Sequence, residues 1–239
     1  MATRRPLRRL GIMSGFGPLA GAHFYHRLVE LTPARGDEEH LAVVLVSDPE
    51  IPSRLRHLSG EGPTPVPALT RVAQSLERAG VDAIAIPSAT VHAYYSEIQG
   101  AVSIPVFHLP RLVMEAVARL GARRVALLAT TPTVRLGLYA SPAEERQLTI
   151  LTPDQASQDR VMEVVAFVKE GGEPSQAASL LTDLAKGDWA AGADVLLLGC
   201  TELPAVYPHA LRPGPIVDAT DELARAVLQT AGYRLQPLT

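Results

Sequence analysis

The chain has 239 residues, 47% of them hydrophobic and 20% charged, enough to bury a sizeable core as one large domain or two small ones. Its net charge of -3 gives no electrostatic reason to expect nucleic acid, and no charge run suggests an anionic membrane partner, so small charged ligands fit better. The basic opening "MATRRPLRRLGIM" is broken by "SGFGP" before it reaches signal-peptide length, and no segment nears the roughly 18 uninterrupted apolar residues of a spanning helix, so a cytoplasmic location is expected.

Short aliphatic runs alternate with longer amphipathic stretches. Strands are expected at "RLGIM" near Leu10, "AVVLVS" at 42–47, "DAIAIPS" at 82–88, "IPVFHL" at 104–109, "RVALLAT" at 124–130, "LTILTP" at 148–153, "DVLLLGC" at 194–200 and "PIVDAT" at 215–220. Helical patterns lie between them, at 19–31, 67–79, 90–98, 110–120, 133–139, 156–169, 176–191 and 220–231. Near-continuous apolar strands alternating with helices define an α/β class with parallel sheets covered on both faces.

An internal repeat refines this expectation. "AGVDAIAIPSATVHAYY" at 79–95 aligns with "AGADVLLLGCTELPAVY" at 191–207, which sets Ser88 opposite Cys200. "RRLGIMSG" from Arg8 resembles "RRVALLAT" from Arg123 at nearly the same offset. Two matches at similar spacing indicate a duplicated βα unit. They predict two similar Rossmann-like lobes related by a pseudo-twofold, the first from 1–104 and 216–239 and the second from 105–215. "SGFGP", "PSATVH", "ATTPT" and "GCTELP" then all fall at strand carboxyl ends, where open α/β sheets bind ligands at a crevice.

Cys200 is the only cysteine, so an internal disulfide is excluded. It is either a small buried apolar residue or a reactive thiol. A strand end followed by a helix-starting Thr201-Glu202 would put it near amide donors and the positive end of a helix dipole, which favours thiolate. Ser88 would face it from the other repeat, and groups on opposite faces of one carbon can remove and add a proton.

Other polar residues admit two readings. Ser14, Gly15, Phe16 and Gly17 form either a tight strand-to-helix turn or an anion-binding loop of backbone amides. Thr130, Thr131 and Thr133 either bind carboxylate oxygens or cap the next helix. Arg54 follows Pro52 in a loop, where arginine is usually a solvated charge, and Lys169 late in a helix is ordinarily a favourable C-terminal charge. His92 suits a cap region, and Glu202 a helix's first turn. The remaining histidines, His23, His26, His40, His57, His108 and His209, show no compact ligand spacing beyond the first pair, so no metal is implied.

With "GIMSGFGPLAGAHFYHRLVELTPA" at 11–34, "IPSR" at 51–54, "IPSATVHAYYSEIQ" at 86–99, "VMEVVAFVKEGGEP" at 161–174 and "LGCTELP" at 198–204, the chain resembles the cofactor-independent aspartate/glutamate racemase superfamily. The resemblance spans nearly the whole chain. It implies two Rossmann-like lobes, usually dimeric, with a cysteine from each acting on a substrate α-carbon without pyridoxal phosphate or another cofactor. Cys200 matches the second-lobe cysteine, and Arg54 and Lys169 match positions associated with a side-chain carboxylate.

One departure is informative. Where the family usually reads Cys-Asn-Thr, this chain reads Ser88-Ala89-Thr90, so the first thiol and an amide that commonly holds substrate are both replaced. A serine hydroxyl is a far weaker acid than a thiol, and it passes on a proton more readily than it becomes a base. The expectation is a racemase or epimerase of a small acidic amino acid, with Cys200 and Ser88 as the acid/base pair and Thr201 and Glu202 beside them. Alternatives are a single-cysteine decarboxylase, a cis-trans isomerase of an unsaturated diacid, or a non-catalytic carboxylate-binding protein.

Overall fold

In the computed structural model, residues 7–201, 203–204 and 215–235 are described. They contain two parallel sheets and the helices around them. In the first sheet β1 (Arg9–Ser14) lies between β2 (Ala42–Ser47) and β3 (Ala83–Ala85). Arg9 pairs with Ala42, and Leu10 with both Val43 and Ala83. The second sheet runs β5-β4-β6-β7, built from β4 (Arg124–Leu128), β5 (Thr149–Leu151), β6 (Val195–Leu198) and β7 (Ile216–Asp218). The α/β class with parallel sheets is therefore as expected.

The chain divides into two compact units. One comprises Met1–Pro87, Tyr94–His108 and Leu223–Thr239, the other Ser88–Ala93 and Leu109–Glu222. These bounds differ from the expected 1–104 with 216–239 and 105–215. The hydrogen-bond ladder accounts for the largest difference: Leu196, Leu197 and Leu198 pair with Ile216, Val217 and Asp218, which holds the 216–218 strand in the second sheet. The chain passes from the second unit to the first between Ala93 and Tyr94 and again within the helix Ala219–Thr230.

Several elements are shorter than their sequence patterns. The 104–109 run forms a single parallel bridge, Ile84 to Val106, closed by Ile84 N–H to Pro105 O at 2.9 Å and Phe107 N–H to Ile84 O at 2.8 Å. Pro105 has no N–H to add to a ladder, and Leu109 already begins the helix Leu109–Arg119. The 90–98 pattern is a 3₁₀ turn, Thr90–Tyr94, followed by a short α-helix, Tyr95–Gly100. The 176–191 pattern divides into an α-helix, Pro174–Ala185, and a 3₁₀ turn, Asp188–Ala190. The local signals of the remaining helices are legible: Pro18 stands at the start of Pro18–Leu31, and the Asp154 carboxylate caps Gln155–Lys169 by accepting from Ser157 N–H at 2.8 Å.

Each unit has its own core. Leu10, Ile12, Met13, Phe24, Leu69, Leu76 and Ile84 are fully buried in the first. In the second, Val161, Val164, Val165 and Val168 of one helix and Leu181 and Leu184 of the next pack on Ala126, Leu128, Leu196 and Leu198. Burying each such Leu or Val contributes about 1.5–3 kcal/mol.

Candidate active site

Cys200 lies just beyond the carboxyl end of β6 and is 5% exposed, packed among the apolar residues of the second core. Its backbone is held on both sides. Gly199 N–H donates to Leu128 O at 2.8 Å, and Leu203 N–H donates to Cys200 O at 3.1 Å. The Tyr139 hydroxyl donates to Gly199 O at 3.1 Å. A Cβ at 199 would stand 2.6 Å from Leu127 Cδ1 and 3.1 Å from Tyr139 Cε2, so any larger residue there must displace one of these side chains. The helix expected to begin at Thr201 is not found in Thr201, Leu203 or Pro204, which form a turn and bend. Glu202 and 205–214 lie outside the described residues, and among the described residues no helix starts directly after Cys200. Thr201 is buried beside the thiol in sequence.

Ser88, Ala89 and Thr90 belong to this same unit. Ser88 is half-buried and Ala89 buried. His92 holds this turn: its Nε2 accepts from Leu109 N–H at 3.0 Å, so its Nδ1 carries the proton and donates to Ser88 O at 2.9 Å. Both ring nitrogens are occupied, and His92 acts as a bracket between the Ser88 turn and the next helix.

Thr90, Thr130 and Thr133 meet in a closed triangle of hydroxyls, at 3.2 Å for Thr90–Thr130, 3.1 Å for Thr90–Thr133 and 2.9 Å for Thr130–Thr133. All three are buried. Thr130 stands at the helix N-cap yet makes no capping bond with its side chain, so its hydroxyl serves the triangle. Each hydroxyl has one proton and two acceptor positions, which leaves acceptor capacity in the cluster. Thr131 is half-buried; its hydroxyl accepts from Gln158 Nε2 at 3.3 Å, and the same nitrogen donates to Ala129 O at 3.0 Å.

In the first unit, Ser14 is buried and Gly15 has φ 111°, the left-handed region that favours glycine. A Cβ at Gly15 would stand 2.3 Å from the Asp48 backbone. Arg54 is 8% exposed rather than solvated. Its Nη2 donates to Phe16 O at 2.6 Å, its Nη1 to Pro52 O at 3.4 Å, and its Cζ lies 4.8 Å from the Phe16 ring centroid. Arg54 opens a short helix, Arg54–Leu58, rather than lying in a loop, and it ties that helix start to the loop containing Phe16 and Gly17. Tyr94, 5% exposed, has a hydroxyl with no hydrogen-bond partner among the described residues. Burial pushes its phenol up, against the pull of the Arg54 charge.

Lys169 is exposed and ends its helix, a favourable place for a cation. A groove of about 270 Å³ in the first unit, lined by Tyr25, Leu28, Val29, Thr32, His40 and Val43 among others, contains neither Cys200 nor Ser88 nor any of the expected substrate-binding residues. No group of three metal-ligating side chains and no helix long and apolar enough to cross a membrane occurs among the described residues. Tyr139, Gln158 and Tyr94 were not singled out in the sequence. Their only signal there is a polar group inside an apolar helical pattern.

A parallel α/β fold with a buried thiol at a strand's carboxyl end and a hydroxyl cluster in the same unit defines the class of two-lobed, racemase-like proteins. The chain matches the Asp/Glu/Hydantoin racemase family over residues 13–227 and belongs to it. It is similar in structure to an aspartate racemase of Picrophilus torridus, with a TM-score of 0.87, 30% identity and 96% of each chain covered. It is 27% identical to the broad specificity amino-acid racemase RacX of Bacillus subtilis (strain 168), over 92% of this chain and 97% of that one. The fold is shared more distantly with a Gly74Cys mutant of arylmalonate decarboxylase, at a TM-score of 0.57, 17% identity and 96% coverage of both chains.

Proposed function

We propose that the protein is a racemase or epimerase of a small acidic amino acid that works without pyridoxal phosphate, as a homodimer in the cytoplasm. The Cys200 thiolate takes the α-proton, leaving the electron pair delocalised into the α-carboxylate, and the Ser88 hydroxyl delivers a proton to the opposite face, directly or through a water. Returning that proton from Cys200 to Ser88 through solvent restores the enzyme.

Backbone amides stabilise the developing charge, the largest contribution to rate, with the Ser14–Gly17 loop as the candidate donor, since Thr131 N–H is already donated to Met162 Sδ at 3.2 Å. Thr201 supplies a hydroxyl to the carboxylate, and Thr90 or Thr133 donates to it by giving up one bond of the triangle. Arg54 is the candidate for a distal carboxylate, with Lys169 as a second cation, and Ala89 adjoins Ser88 in the sequence. The observation that carries this reading is the single thiol at the carboxyl end of β6 in a chain of this family. The names of the two relatives, an aspartate racemase and a broad specificity amino-acid racemase, support an amino-acid substrate.

The presence of a single cysteine in the chain favours one further reading, a decarboxylase or a cis-trans isomerase of an unsaturated diacid, which needs only one thiol. Proton NMR of acidic amino acids, malonates and unsaturated diacids in deuterated buffer separates the two. α-Deuterium incorporation with inversion supports racemisation, whereas loss of carbon dioxide or a shifted alkene supports the second reading. Cys200→Ala is expected to reduce turnover by about 10²–10⁴-fold or more with an unchanged thermal transition. Turnover retained by that variant would refute both.

A further inference from the structure

Tyr139 is among the largest fully buried side chains, at 1% exposure, and its hydroxyl reaches across the unit to the carbonyl of Gly199. A phenylalanine would fill the same volume without a buried polar group to satisfy. The bond it makes falls on the peptide that joins Gly199 to Cys200. A donor on a peptide carbonyl draws charge from that peptide, so the N–H on its other side, here that of Cys200, becomes a stronger donor toward any nearby anion.

Asp218 completes the arrangement. The register of β6 and β7 places it beside Leu198, just before Gly199 and Cys200. It is buried, and its Oδ1 accepts from Thr220 N–H at 2.7 Å and Asp221 N–H at 3.4 Å at the start of the helix Ala219–Thr230. We propose that Tyr139 is a positioning residue for Cys200, holding the Gly199–Cys200 peptide so that its amide favours the thiolate, while the Asp218 carboxylate acts on the same thiol in the opposite sense. Burial, with the charges of Cys200 and Asp218 adding to it, keeps the Tyr139 phenol protonated, so it serves as a hydrogen-bond donor throughout the working range. The link to turnover rests on Cys200 being the reacting thiol; the link to its ionisation does not.

Because Cys200 is the only cysteine, thiolate absorbance and the pH profile of iodoacetamide alkylation report this one group. In Tyr139→Phe the titration midpoint is expected to rise and the alkylation rate at neutral pH to fall at least threefold, about half a pKa unit. In Asp218→Asn, where the amide oxygen can still cap the helix, the midpoint is expected to fall. Midpoints unchanged from the parent would overturn the proposal, as would a change only in the limiting rate at high pH, which would mark Tyr139 as packing alone. Should Tyr139→Phe fail to fold, the Asp218→Asn titration decides, an unchanged midpoint again overturning the proposal. A protein that turned over no amino acid would refute the racemase reading yet leave these titrations standing.

Discussion

Asp82 and Asp194 perform the same task in the two units. Asp82 Oδ2 accepts from the backbone N–H groups of Arg8 and Arg9, both at 2.8 Å, and Asp194 Oδ2 accepts from those of Arg123 at 2.7 Å and Arg124 at 2.9 Å. Each aspartate also donates its own N–H to the first strand of its unit, Asp82 to Arg9 O at 2.8 Å and Asp194 to Arg124 O at 2.9 Å. The two stretches aligned by the sequence repeat therefore meet in space in the same way, each aspartate fastening the amino end of one strand to the next.

This arrangement sets an acid dependence. Hydrogen bonds from the Arg123 and Arg124 amides hold the Asp194 carboxyl below its ordinary value. A carboxylate whose folded-state pKa is depressed contributes fully above its unfolded pKa, and that contribution is lost as pH falls through the folded value. Asp194→Asn is therefore expected to lower the urea midpoint at neutral pH and to flatten the acid limb of stability below the ordinary aspartate range. Parallel acid limbs in the two proteins would contradict this.

Gly15→Ala tests the loop after β1. A side chain there meets both a left-handed φ of 111° and the Asp48 backbone at 2.3 Å, neither of which yields by rotating a side chain. A loss of about 2–4 kcal/mol is expected by urea titration. A loss of only a few tenths would show that the turn relaxes freely.

The threonine triangle predicts energetic coupling. Thr133→Val keeps the shape but removes the hydroxyl from two of the three contacts, and leaves its neighbours under-satisfied at a cost of about 1–3 kcal/mol. Thr90→Val should cost less in that background than in the parent, with a coupling of roughly 0.5–3 kcal/mol in a double-mutant cycle. Additive losses would mean that the hydroxyls do not act as a unit.

Ser88 predicts a directional enzyme. The enantiomer whose α-hydrogen faces Cys200 should exchange it with solvent readily, whereas its mirror image must form a seryl alkoxide, which is hard near neutral pH. Ser88→Ala should retain exchange on the Cys200 face and suppress inversion, and Ser88→Cys should raise inversion relative to exchange. Following α-deuterium incorporation separately for each enantiomer checks this. Equal exchange together with full inversion in Ser88→Ala would remove Ser88 as the second acid.

The sequence by itself determined the α/β class, the duplicated strand-helix unit and the place of Cys200 at the end of β6. These depend on local periodicity and on the repeated Ala-Gly-x-Asp before each apolar run, which the chain carries in its order of residues. It also shows Ser88 aligned with Cys200. The tertiary structure decided which polar groups meet: Thr90 with Thr130 and Thr133, Arg54 with Phe16, His92 between Ser88 and Leu109, and Tyr139 with Gly199. It decided too that Arg54 is buried, and that the 104–109 run contributes a single bridge while 216–218 remains with the second sheet. None of this has a local signature. A hydroxyl or guanidinium removed from water takes whatever partner the packed strands and helices bring within about 3 Å, and those partners are remote in the chain.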